Sequence, residues 1–384
     1  RGFRMAGLIA AARAAGVGTR LLRPAVAGLR TAEGGAPRGA AAAAGPRVWT
    51  LGLVGLGNWG TALGHQWGEA GHAVTGYTIE QEVFDSMRKD GENRKYLPGA
   101  KTKMGVTMDL AEVAQKCDLI VLGAPSHAIL SVVDSLMPHL ESRHVLVDIA
   151  KGLAPAPPGG EAEGAMETLS TSIERKLEAA GKHIPVAVLT GPTIAPEVAR
   201  GVTSTALVAC EEHSVAVDLA RDLSTPSLHL QPADDPRGAE LWGAFKNPIA
   251  LACGMADGLH PEGGDNLKAA LVMAGFNEGM RLLGAMGAKT ETAFGAAGLG
   301  DMYVTSTSQN SRNRTLGQKL GTGLSLEAAL GEMHMVAEGV RATRMFRSEA
   351  QALGVEHPFL EAMAGVLDGE VGPEEAARRM VNAC

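Results

Sequence analysis

The chain has 384 residues, 45% hydrophobic and 20% charged, with a net charge of −7. That is ordinary globular composition and enough length for two domains with cores of their own. Residues 1–47 hold eight arginines, no lysine and one acid, Glu33, so they carry +7 and residues 48–384 carry −14. A body this acidic is a poor binder of a nucleic-acid backbone, whose phosphates need cations, and no apolar run reaches the ~18 residues of a membrane-spanning helix.

In chain order, the first segment is the Ala- and Arg-rich leader. Arg13, Arg20, Arg23 and Arg30 would share a basic helix face, interrupted at Pro24. The pattern predicts an organellar transit peptide, mitochondrial before plastid; an unstructured Ala/Gly/Arg tail is the alternative, with the cytosol as location. From residue 48 short apolar runs alternate with helical patterns, which predicts a parallel α/β sheet. The strands are expected at 48–55, 73–79, 119–125, 144–150, 185–191, 204–210 and 227–232, with helices at 128–140 and 161–180 and a Pro/Gly loop at 154–164. After about 237 only helical patterns follow. The expected fold is a Rossmann-type doubly wound domain over 48–236 and an all-α domain over 237–384.

The first strand runs into "GLGNWGTAL", in which Gly55, Gly57 and Gly60 form GxGxxG between a strand and a helix. In that context the glycines let the backbone turn and approach a pyrophosphate, and the helix N-terminus favours the anion. Glu80 ends the second strand twenty residues past Gly60. A carboxylate there accepts hydrogen bonds from the adenosine ribose and repels a 2′-phosphate, so NAD is favoured and NADP is the lesser possibility. Polar groups cluster after other strands: Ser126 and His127, Lys151, and Gly191-Pro192-Thr193. Ligands of such sheets lie beyond these strand ends. Cys117, Cys210, Cys253 and Cys384 form no CxxC pair, and the histidines show no HxH or HxxxH spacing. These spacings argue against a disulfide framework or a zinc site. In the helical half, "GAFKNPIALACG" puts Lys246 and Asn247 inside an apolar run, and Pro248 predicts a kink or a fresh helix start there. A lone lysine in such a run ordinarily snorkels to solvent.

Taken together, "GLGNWGTAL", "NRKYLPG", "APSHAI", "AKGL", "GPTIAPEVA", "GAFKNPIALACGMADGL", "GLGDM" with "SRNRTLG", and "AEGV" resemble the soluble NAD(P)-dependent glycerol-3-phosphate dehydrogenases, in that family's order and over 52–343. The resemblance implies reversible hydride transfer between a nicotinamide cofactor and dihydroxyacetone phosphate, yielding sn-glycerol 3-phosphate for glycerolipid synthesis and redox balance. It implies that Lys246 is the proton donor and acceptor, with Asn247, Asp301 and Thr305 as its partners. Lys151 would touch substrate and cofactor, with Gly191 and Thr193 in the same pocket. Ser311, Arg312 and Asn313 would hold the substrate phosphate. Asn58, Trp59, Ala195, Arg312, Val336 and Glu338 would line the cofactor, and a homodimer is implied. Alternatives are a related dehydrogenase for another hydroxy acid and a non-catalytic NAD sensor.

The residue types suit that chemistry. A growing alkoxide needs a polarising donor that then yields a proton, and a lysine whose pKa is lowered by burial and raised by a carboxylate can serve. A phosphate dianion needs fixed cations, which Arg312 can supply with a planar fork. Asp301 and Thr305 are four residues apart and share a face if helical; Arg312 joins them only if one helix continues past "YVTSTS". Departures from the family pattern are Pro248, Met273-Ala274, Ile79 and Ser306.

Overall fold

The structure is a computed structural model that describes residues 45–155, 166–333 and 337–382. The leader up to residue 44, Val336 and nearly all of the 154–164 loop lie outside the described residues. Among the described residues ten strands form: β1 Thr50–Val54, β2 Ala73–Tyr77, β3 Gly105–Thr107, β4 Leu119–Leu122, β5 Val145–Asp148, β6 Leu153–Pro155, β7 Met166–Thr168, β8 Val186–Thr190, β9 Ser204–Cys210 and β10 Leu228–Ala233. Eight of them make one sheet in the order β10-β9-β8-β5-β4-β1-β2-β3, while β6 and β7 pair separately. All seven expected strands are present, mostly with shorter ends. Three-residue β3, β6 and β7 were not expected.

The sheet departs from the expected all-parallel pairing at one place. β8 and β9 run antiparallel, and β10 then pairs parallel with β9. The connection between β8 and β9 carries only the helix Ala195–Ala199. Five helical residues rise about 7.5 Å, against about 17 Å for a five-residue strand, so this segment turns the chain back instead of carrying it over the sheet. Elsewhere full helices cover both faces. Leu51, Leu53, Val121 and Val147 pack with Trp67 on one side; Ile120, Leu122 and Leu146 pack with Ile129 and Val133 on the other. That alternation is the period of two of a strand buried on both faces.

In the helical part, helix Pro236–Leu259 is the axis, with Asp235 capping it by accepting from Gly238 N at 2.9 Å. Nearly all its side chains are buried, and helices Asp265–Ala285, Asp301–Thr307, Arg312–Gly321 and Glu338–Leu353 pack around it. The expected restart at Pro248 does not occur: the helix runs through it. Pro248 removes one backbone donor, but packing on every side holds the turns before and after it. Helix Arg312–Gly321 crosses this axis backbone to backbone. A Cβ on Gly254 would fall 1.9 Å from the Arg314 carbonyl oxygen, and one on Gly317 would fall 2.0 Å from that of Leu251. Only glycines permit this approach, and it sets the start of Arg312–Gly321 beside Asn247.

Candidate active site

The nucleotide end is built by the first strand, the loop after it and helix Asn58–Glu69. Gly55 has φ +111, and a Cβ there would meet the Gly123–Ala124 backbone at 2.6 Å. A Cβ on Gly60 would lie 2.3 Å from the Gly55 carbonyl oxygen, so the helix packs directly onto the strand end, while Gly57 has nothing within 4 Å. This leaves the helix N-terminus bare on the outer side, the shape a pyrophosphate needs. Asn58 is exposed, and Trp59 packs with Ala62, Leu97 and Ala195. Glu80 sits just past β2, where Lys95 Nζ reaches Oε2 at 2.5 Å and Tyr96 Oη donates to Oε1 at 2.9 Å. The residues therefore fit a dinucleotide.

The chemistry-bearing cluster lies where the sheet meets the helical part. Lys246 comes from the axial helix and is 2% exposed; Asp301 opens its own helix and is also 2% exposed. Lys246 Nζ donates to Asp301 Oδ2, and Lys151 Nζ, from the end of β5, lies 3.3 Å from the same oxygen. Thr305, one turn on, donates to Asp301 Oδ1 at 3.3 Å. A π-helical turn, Ala296–Gly300, leads into Asp301, an irregularity common at functional sites. Gly300 is in turn packed against Pro192, which brings Gly191 and Thr193 alongside. Thus Lys246 does not snorkel; its ammonium is turned inward onto a buried carboxylate.

Two cations share one anion here, and their environments differ. Burial, supported by repulsion from Lys151, outweighs Asp301 and pulls Lys246 down to about 7. At Lys151 burial opposes the charge, but Asp301, with Lys246 and Glu338, overcomes it and raises the pKa. Asp301 is itself raised by burial and lowered more strongly by the two lysines, so it stays ionised. The arrangement holds a fixed charge pair, Lys151 with Asp301, beside a lysine that exchanges its proton near neutrality.

The helix carrying Asp301 ends at Thr307, and a new one starts at Arg312 with Ser311 as its cap, accepting from Arg314 N at 3.3 Å. Arg312 therefore does not continue the Asp301 face. It is brought close by the glycine crossing instead. Asn313 Nδ2 donates to Asn247 Oδ1 at 2.8 Å, and Asn313 Oδ1 accepts from Gly339 N at 2.8 Å. Asn247 is thus tied to the Ser311–Asn313 segment, and Pro248 does not displace it from the cluster. Arg312 and Glu338 are exposed at its mouth.

Among the buried acids that escaped the sequence reading, two act on each other. Asp148, three residues before Lys151, is fully buried; its Oδ1 accepts from Ala150 N at 3.0 Å and its Oδ2 has no partner. Glu240, on the axial helix, accepts from Ser170 N at 3.2 Å and from Ser170 Oγ. Burial pushes Asp148 up to about 7, and burial with repulsion from Asp148 pushes Glu240 up to about 8. The only signal in the sequence was an acid inside each of two apolar runs, "VLVDIA" and "AELWGAF".

Comparison with known proteins follows this geometry. Sequence models of the NAD-dependent glycerol-3-phosphate dehydrogenase family match over residues 50–216 for its N-terminus and 235–378 for its C-terminus. The chain is 37% identical over 328 residues to a glycerol-3-phosphate dehydrogenase, NAD(P)+, of Caulobacter vibrioides, covering 85% of this chain and 95% of that protein. It is 39% identical, with the same coverage, to the enzyme of that name from Syntrophotalea carbinolica. A crystal structure of glycerol-3-phosphate dehydrogenase from Coxiella burnetii superposes with a TM-score of 0.75 at 29% identity, covering 87% of this chain and 99% of that one.

Proposed function

The chain belongs to the NAD-dependent glycerol-3-phosphate dehydrogenase family, and from that premise we propose that it interconverts dihydroxyacetone phosphate and sn-glycerol 3-phosphate with NAD(H). The observation that carries the reading is the buried Lys246–Asp301 pair with Lys151 on the same carboxylate oxygen. Neither another hydroxy acid nor a non-catalytic sensor is favoured by any feature of this cluster.

NAD would be held by Gly55, Gly57, Asn58, Trp59, Gly60, Glu80, Ala195 and Glu338, with Val336 two residues before the last in sequence, and its nicotinamide supplies or accepts the hydride. Lys246 polarises the ketone oxygen and gives it the proton; in the reverse direction neutral Lys246 takes the proton from the hydroxyl. Asp301, oriented by Thr305, anchors the ammonium. Lys151 stays charged and orients the carbonyl end beside Gly191 and Thr193. Arg312, Asn313 and Ser311, at a helix N-terminus, hold the phosphate, and Asn247 braces Asn313. The incoming dianion raises the pKa of Lys246, so binding substrate loads the proton that reduction uses.

On this reading residues 48–236 bind the nucleotide and 237–384 supply most of the substrate site, with Lys151 contributed across the boundary. The product feeds glycerolipid synthesis. The basic leader directs the chain to an organelle, and the working form is a homodimer. The test is NADH absorbance with dihydroxyacetone phosphate. Rapid oxidation is expected; no turnover with any phosphorylated triose would overturn the reading.

A further inference from the structure

Glu80 stands where the ribose of a bound dinucleotide belongs, and a bare carboxylate there would repel a 2′-phosphate. This carboxylate is not bare: Lys95 and Tyr96 each occupy one of its oxygens. Their position is fixed by Asn93, which is fully buried and donates to the Leu56 carbonyl at 2.8 Å and to Thr61 Oγ1 at 2.9 Å, while its Oδ1 accepts from Tyr96 N at 3.1 Å. Asn93 thus ties the "NRKYL" segment to the loop that meets the pyrophosphate and delivers Lys95 to the ribose position.

We propose that Lys95 determines which nicotinamide dinucleotide is used: it neutralises Glu80 when the ribose bears a free 2′-hydroxyl and turns onto the phosphate when the ribose bears one. The Lys95 side chain is 41% exposed, so its stem has room to swing, and an exposed pair is cheap to break. A phosphate carries about −1.5 to −2 at pH 7, a stronger attractor than one carboxylate. Tyr96 stays on Glu80 after Lys95 leaves. Glu80 alone would make the site reject NADP; with Lys95 it admits both cofactors.

This inference rests on the dinucleotide site proposed above, and its test reads binding as well as turnover. Calorimetric titrations of adenosine 5′-monophosphate and adenosine 2′,5′-bisphosphate compare the full-length wild type, Lys95→Met and Glu80→Gln, alongside kcat/KM for NADH and NADPH. Lys95→Met is expected to weaken the bisphosphate relative to the monophosphate by about tenfold, the size of one charge-assisted contact, and to shift the NADPH/NADH ratio with it. Glu80→Gln is expected to shift both ratios the other way. If Lys95→Met leaves the ratios unchanged, or hurts the monophosphate more, Lys95 merely braces Glu80 and the proposal falls. A wild type that binds neither nucleotide overturns it together with the cofactor site. Binding with the expected shift but no triose turnover overturns only the reaction.

Discussion

Glu80 with Lys95 and Asp301 with Lys246 are the same two functional groups in two solvents. The first pair has side chains 33% and 41% exposed; the second pair is 3% exposed on each side. In water such a pair is screened and its members can exchange partners at little cost. In the interior the same contact moves protonation equilibria and tolerates no unpaired member. The first therefore suits a choice between ligands, the second the storage and release of a proton.

Breaking the buried pair should have the largest effect. Lys246→Met is expected to lower kcat by at least ~10³-fold, with the dissociation constant of NADH, read by fluorescence, nearly unchanged; a comparable loss in both would show a structural role instead. Asp301→Asn should cost roughly 10²-fold in kcat. It leaves Lys246 facing Lys151 without the shared anion, so the inflection of the rate profile should move to lower pH; no movement would break the link between them.

A smaller effect should appear in stability. In the unfolded chain Asp148 ionises near ~4, and in the folded chain at about 7. Between these values the folded state keeps a proton that the unfolded state has lost, so stability falls as pH rises across this window and is level above it. Asp148→Asn removes that penalty. Its melting temperature should exceed the wild type's by more at pH 8 than at pH 5; an equal difference at both would contradict the burial of an ionisable acid. The smallest effect belongs to the exposed pair: Lys95→Met should leave the melting temperature within about 2 °C.

The strands that carried continuous apolar runs were legible, as was the dinucleotide loop, because backbone sterics and burial write themselves into neighbouring residues. Strands β3, β6 and β7 were not, since three residues show no period. The reversal at β8–β9 depends on the path of a connection, which no local pattern encodes. At the site, Lys246, Asp301 and Lys151 could be nominated by resemblance, but the sharing of one oxygen among them comes from three separate elements. The Lys95–Glu80 contact was hidden because Asn93, a buried anchor, looks like any loop asparagine. Asp148 and Glu240 are ninety-two residues apart and meet only through the fold. No fresh helix starts at Pro248 because its local preference yields to packing along the axial helix.

The central claim is that Lys246 passes the proton and is tuned to about 7 by burial and by Lys151. The most direct measurement is kcat/KM in both directions from pH 6 to 9. Ketone reduction should be level below the inflection and fall above it, while alcohol oxidation should rise below the same inflection and level off above it, because one needs the ammonium and the other the free amine. A reduction rate that stays level to pH 9, with oxidation still rising there, would contradict the account.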